Sequence, residues 1–255
     1  KLCVFADPDG DEHQLIIPDA SLRGDGFEAL GMLMDAGLQV SPAGKKLLIE
    51  YLHRAAPRGR VRVVSRTGWH ESRDGARVFV LPDRAIGEQA GAWHYENSDP
   101  GASPCRQRGT LQEWRDKVSS QCVGNSRMVI SMSLAFSSAL VHLVNAESGG
   151  CNWRGASSTG KTSLLRVAVS VYGPPDSLSR WRSTLNALES LAGIHCDALL
   201  ALDELKMVDP KEAGGAAYTL CNGQGKARAG RDGGLRARLS WRLMLLSSGE
   251  ISLAD

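Results

Sequence analysis

The run Gly155-Ala156-Ser157-Ser158-Thr159-Gly160-Lys161-Thr162, followed by Ser163, fits G-x-x-x-x-G-K-[ST] at every fixed position. It constrains the chain to a strand, a tight loop and a helix in immediate succession. The loop must wrap phosphates closely, with successive backbone N–H groups pointing inward. Gly155 and Gly160 permit the backbone angles and the close approach this requires. Lys161 is expected to reach the β- and γ-phosphates, and the Thr162 hydroxyl to ligate Mg²⁺. Residues 163–172 have helical character, so a helix N-terminus would face the phosphates. The preceding strand is weakly marked, because residues 151–154 are few and include Arg154. Taken alone, the motif also reads as a Gly/Ser-rich turn.

A second motif stands downstream. Ala198-Leu199-Leu200-Ala201-Leu202 is a continuous apolar run that ends in Asp203-Glu204. Such a run suits a strand buried on both faces of a parallel sheet. Acids at its carboxyl end project into the crevice where these sheets bind ligands. Asp203 is the candidate Mg²⁺ ligand, direct or through water, and Glu204 the candidate general base on the attacking water. Alone, the pair also reads as a solvated turn after a core strand. Asp203 lies 42 residues after Lys161, which makes it a normal partner for the loop.

Residues 241–246 form a third apolar run, interrupted by Arg242 and followed by Ser247-Ser248-Gly249-Glu250. Ser247 and Ser248 are candidates to bond the attacking water or the γ-phosphate, against the alternative of a strand-ending turn. Between these strands, residues 226–238 hold five Arg/Lys against one Asp among glycines. Three readings stay open for this loop: an arginine finger (Arg228 or Arg231) on a neighbouring subunit's nucleotide, contact with nucleic-acid phosphates, or a solvated loop.

Upstream, a strand is expected at residues 14–17, and helices at 26–36 and 43–54. Short strands are expected at 61–65 and 77–81, with a turn near Asp74-Gly75 between them. Trp69 and His70 read as a packed indole and a satisfied imidazole near that hairpin. Arg54, Arg58, Arg60, Arg62 and Arg66 read chiefly as a charged solvent face. Residues 110–145 look helical, with a Thr110/Glu113 capping box and a break at Gly124-Asn125.

The formal net charge of +2 gives no global case for nucleic-acid binding, so that case rests on local clusters. The apolar stretch at 128–144 carries several serines and His142 and is short for a bilayer span of roughly 20 residues. The six cysteines are scattered without a C-x-x-C pair. They argue for free thiols in a reducing cytoplasm and against zinc.

A set of ordered motifs adds a family. These are Thr67-Gly68-Trp69-His70, Phe79-Val80-Leu81-Pro82-Asp83, Gly109-Thr110-Leu111-Gln112-Glu113-Trp114-Arg115, Gly124-Asn125-Ser126-Arg127, the 155–163 loop, Asp203-Glu204-Leu205, Asn222-Gly223-Gln224-Gly225-Lys226 and Ser247-Ser248-Gly249-Glu250. In them the chain resembles, from about Gly37 onward, the bacterial and phage family known as domain of unknown function 927. The resemblance implies a P-loop ATPase of mobile-element proteins, the motor of a replicative primase-helicase. It supports Gly160, Lys161, Thr162, Asp203 and Glu204 as the core site. It also draws attention to Arg228, Arg231 and Glu250.

The expected fold is α/β: a P-loop NTPase core with a mostly parallel sheet (148–255), after an α+β region (1–109) and a helical connector (110–147). With the third strand so near Asp255, the core is expected to be incomplete at its C-terminal end, and weak in binding and turnover by itself. The expected function is an ATP- and Mg²⁺-dependent helicase or translocase on DNA. It is expected to be a cytoplasmic ring-forming homo-oligomer with no membrane part. The rivals are a nucleotide-gated switch or assembly module whose turnover ignores DNA, and a DNA-binding module with a vestigial nucleotide site, against which the intact Gly160-Lys161-Thr162 and Asp203-Glu204 argue.

Overall fold

The computed structural model describes residues 1–96, 103, 105–208, 210–227 and 238–250. Arg228 and Arg231, and with them most of the basic loop, lie outside the described residues.

The chain opens with a hairpin. Strand β1 (Leu2–Ala6) pairs antiparallel with β2 (Glu12–Ile16), from Leu2↔Ile16 to Ala6↔Glu12. The Asp7 carboxylate closes the turn by accepting the N–H groups of Asp9 (3.0 Å) and Asp11 (2.9 Å). Helices α1 (Phe27–Asp35) and α2 (Gly44–Arg54) follow within a residue or two of the expected spans. Ala29, Leu33 and Leu52, one face of the two helices, bury against Ile17 and Leu22 in a small core.

Next comes a set of short strands whose pairing differs from the sequence expectation. Strand β3 (Arg62–Val64) pairs parallel with β7 (Trp93–Tyr95), not with the strand after Asp74-Gly75. The hairpin across that turn joins β4 (Gly68–Glu71) to β5 (Arg77–Val80), and β6 (Ala85–Gly87) extends it. Trp69 and His70 therefore lie within the hairpin. Val78, Val80, Trp93 and Tyr95 bury together beneath it.

Helix α3 (Leu111–Lys117) starts at the expected capping box. Thr110 accepts the Glu113 N–H, and the Glu113 carboxylate accepts the Thr110 N–H. Helix α4 (Ser126–Ser138) is capped by Asn125, whose side chain accepts the Met128 N–H. It ends at Ser138, short of the expected 145. Among the described residues, no helix is long and apolar enough to cross a membrane.

The last part is a four-stranded parallel sheet. Its strands are β8 (Gly149–Arg154), β9 (Ser179–Arg180), β10 (Ala198–Asp203) and β11 (Leu243–Gly249). The helices between them are α5 (Lys161–Val169), α6 (Leu185–Ile194) and α7 (Pro210–Asn222). Strand order is β8-β11-β10-β9, so the last strand in sequence slots between the first and third. Every residue of β10 is buried. Side chains alternate across a strand, and here each face has its own core. Leu200, Leu202, Leu243 and Leu245 pack with α6 and α7 residues. Leu199, Ala201 and Leu246 pack with Leu165 and Ala168 of α5 and Ala135 of α4. The apolar run legible in the sequence is thus a strand covered on both sides.

The Thr67-Gly68-Trp69-His70 motif is a joint. The Thr67 hydroxyl donates to the carbonyls of Gly193 (3.0 Å) and Ile194 (2.8 Å) at the end of α6. The Trp69 N–H donates to the fully buried Asp197 (2.9 Å), and its indole to the Ala139 carbonyl (2.8 Å). His70 bonds the Arg66 carbonyl (3.0 Å), as a satisfied imidazole should. Arg66 departs from its expected solvent face: its guanidinium donates to the Trp69 carbonyl and lies 3.8 Å from Asp197. Burial of Asp197 draws that cation inward, since a buried carboxylate needs a partner.

Candidate active site

The geometry begins where β8 ends. The Gly155 N–H donates to the Gly249 carbonyl (3.2 Å), tying the loop to the end of β11. Ser158 (φ 61°) and Gly160 (φ 85°) both take left-handed backbone conformations, and these two reversals close the loop back onto the helix. Helix α5 starts at Lys161, two residues before the sequence expectation, so the lysine and both hydroxyls sit in its first turn. First-turn N–H groups lack acceptors within a helix, and this turn opens on a cleft. The Lys161 ammonium folds back along the loop and donates to the carbonyls of Gly155 (2.8 Å) and Ala156 (2.6 Å). The Thr159 hydroxyl donates to the Ala156 carbonyl (2.8 Å).

The inserted β11 brings three chain segments to one point. The Thr162 hydroxyl donates to Asp203 Oδ2 (2.9 Å), from α5 to the tip of β10. Asp203 Oδ1 accepts the Ser248 hydroxyl from β11 and the Glu204 N–H (2.9 Å). Asp203 and Ser248 are both buried. This is a cluster of hard oxygen ligands on the cleft wall, chemistry that suits Mg²⁺.

Ser247 does not share this site. Strand alternation points it to the other face, where its fully buried hydroxyl accepts the Trp181 indole N–H (2.8 Å). The sequence offered both serines as site candidates, with a strand-ending turn as the alternative; β11 runs through both to Gly249, so only one of them can face the cleft.

Glu204 has a left-handed backbone (φ 64°, ψ 52°), a conformation that costs a residue with a side chain about 1–3 kcal/mol. The kink drives Leu205 fully into the core and leaves Glu204 and Lys206 on the cleft wall. Glu204 Oε2 lies 3.7 Å from Arg180 Nε on β9. Across the mouth, Lys206 Nζ donates to Glu250 Oε2 (2.9 Å). The bond raises the lysine's pKa and lowers the carboxyl's, and the Lys161 charge lowers the carboxyl further. The cleft has a volume of about 530 Å³, within the usual range of ligand pockets. Its walls are Ser157 through Ser163, Asp203, Glu204, Lys206, Met207, Ser248, Gly249 and Glu250. Lys206 escaped the sequence reading because its place depends on the kink at Glu204. Glu250 was noticed without a role.

One family profile fits the chain carrying this arrangement: "Domain of unknown function (DUF927)" matches residues 1–240. The chain belongs to the DUF927 family. The match takes in the first 36 residues, which the motif resemblance left out, and stops short of β11. Among curated proteins, none matches this DUF927 chain. Among solved structures it is similar to one titled "SCCmec type IV Cch - active helicase", with a TM-score of 0.73 and 20% sequence identity. The likeness covers 100% of the DUF927 chain and 51% of the Cch chain, so this chain spans about half of that protein. At that identity the likeness speaks for the fold.

Proposed function

We propose that the chain is the ATP-binding and ATP-hydrolysing P-loop core of a DNA helicase or translocase carried by a mobile element. The observation that carries the reading is the 2.9 Å bond from Thr162 to Asp203. Two motifs 41 residues apart, each with the chemistry of a Mg²⁺ ligand, meet at one point beside the 155–163 loop.

In this reading the backbone N–H groups of residues 155–163 and the Lys161 ammonium bind the phosphates. Thr162 and Asp203 would hold Mg²⁺, which would supply charge neutralisation on the terminal phosphates. Ser248 holds the Asp203 carboxylate in place. A Glu204 carboxylate oxygen accepts the proton of the attacking water. Lys161 leaves its two carbonyl partners when phosphate oxygens replace them. DNA as the second substrate is supported by the fold shared with Cch, a protein titled an active helicase. The proposed assembly is a ring in which the 226–238 loop, with Arg228 and Arg231, completes a neighbour's site or grips the strand.

The test is steady-state ATP turnover with and without single-stranded DNA, beside Lys161→Ala. The reading expects DNA to raise turnover and the variant to abolish it. Turnover that depends on Lys161 yet ignores DNA would overturn the motor and leave a nucleotide-gated switch or assembly module.

A further inference from the structure

The cleft holds one ammonium group that the proposed mechanism does not use. Lys206 stands two residues past Glu204 in the short turn Leu205–Met207. Leu205 is fully buried on one side of this turn, so the backbone under Lys206 is pinned to the core. The Lys206 side chain is mostly exposed, lines the same cleft as residues 157–163, and pairs with Glu250 at 2.9 Å. Glu250 is itself held near the loop, since Gly249 just before it accepts the Gly155 N–H.

Glu250 thus presents an anion to two cations. Its oxygen bonds Lys206, and its carboxyl pKa is lowered by Lys206 first and by the charge of Lys161 as well. Lys161, Lys206 and Glu250 line one cleft, the space that a triphosphate held by the loop would occupy.

We infer that Glu250 is a placeholder for the terminal phosphate, and that Lys206 is a second phosphate-binding cation that distinguishes a triphosphate from a diphosphate. This inference rests on the nucleotide-binding reading of the same cleft. A γ-phosphate carries more charge than a carboxylate and offers three acceptor oxygens, so it displaces Glu250 from Lys206. A diphosphate ends short of Lys206 and leaves the pair closed. The exchange would couple the end of β11 to the state of the nucleotide, because Glu250 is released as Lys206 is taken.

The experiment is equilibrium binding of Mg·ATP analogue (non-hydrolysable) and Mg·ADP to wild type, Lys206→Ala, Lys206→Arg, Glu250→Gln and Lys161→Ala, with thermal melts to confirm folding. Lys206→Ala is expected to weaken the triphosphate roughly tenfold, the scale of one lost charge-assisted contact, while ADP affinity stays within about twofold. Lys206→Arg should recover most of the loss. Glu250→Gln should tighten the triphosphate severalfold by freeing the lysine. Equal losses for both nucleotides, no loss for either, or weaker triphosphate binding in Glu250→Gln would each overturn the inference while leaving the site itself standing. A folded wild type that binds neither nucleotide would overturn the inference and the nucleotide site together. Lys161-dependent binding in the wild type separates the two failures.

Discussion

Glu204 shows how a single residue can carry both strain and chemistry. Its left-handed backbone turns the chain so that Leu205 enters the core and the Glu204 carboxylate faces the cleft. Asp203, one residue earlier, has three donors on its carboxylate and no freedom to act as a base. In the proposed mechanism Asp203 would hold the metal and Glu204 would take the proton. Glu204→Gln keeps the side chain's shape and removes its basicity. It should leave ATP affinity within a few-fold and cut kcat by about 10²-fold or more, the usual scale of a lost general base. Single-turnover hydrolysis beside a binding isotherm checks this, and turnover near wild type would assign the base elsewhere. The acidic pair was legible in the sequence only beside the 155–163 loop, since alone an apolar run ending in two acids also reads as a core strand and a solvated turn. The left-handed angle at Glu204 was not, since it depends on where Leu205 can bury. The same holds for Lys206, whose position follows from that turn.

At the level of elements, the sequence revealed those strands and helices whose burial leaves a strong pattern. Strand β10 and the capped start of α3 are of this kind. Strand β9, with two residues, has no pattern to read. Strand β1 lies in an apolar run at the chain start that only its pairing with β2 identifies. Sheet order was hidden too, because a parallel strand's neighbours are set by crossovers rather than by adjacent sequence. The insertion of β11 between β8 and β10 is what puts Ser248 beside Asp203 and sends Ser247 to the far face. The joint at β4 offers a test of packing at this scale. Gly68 has φ +87°, and a Cβ there would lie 2.5 Å from Asp197 Oδ2 and 2.6 Å from the Cys196 carbonyl. Gly68→Ala should therefore cost roughly 2–4 kcal/mol, from left-handed strain plus displacement of backbone. Denaturant titration measures it, and a loss below about 0.5 kcal/mol would show that the joint is loose.

For the whole molecule, the α5 and β10 elements that build the cleft belong to the same two cores that hold the sheet together. Stability should then depend on pH through the imidazole buried at the foot of β10. His195 bonds the Leu199 carbonyl (2.8 Å), and burial pushes its pKa down to about 4. An unfolded histidine titrates at about 6.5. Above that pH both states are neutral and the group contributes nothing. As pH falls from 6.5 toward 4, the unfolded chain takes up a proton that the folded chain refuses, and stability is lost. The loss should be about 2–3 kcal/mol between pH 7 and 4.5. Unfolding free energies at the two pH values test it, and a His195→Gln variant should show a flatter dependence. An equal slope in that variant would place the titration elsewhere. The central claim is that the 155–163 loop and Asp203 form one Mg²⁺-dependent ATPase site. It is tested most directly by phosphate release from ATP in Mg²⁺, wild type beside Lys161→Ala. The account predicts turnover in the wild type that EDTA stops and that the variant lacks. Equal turnover in both proteins would contradict it.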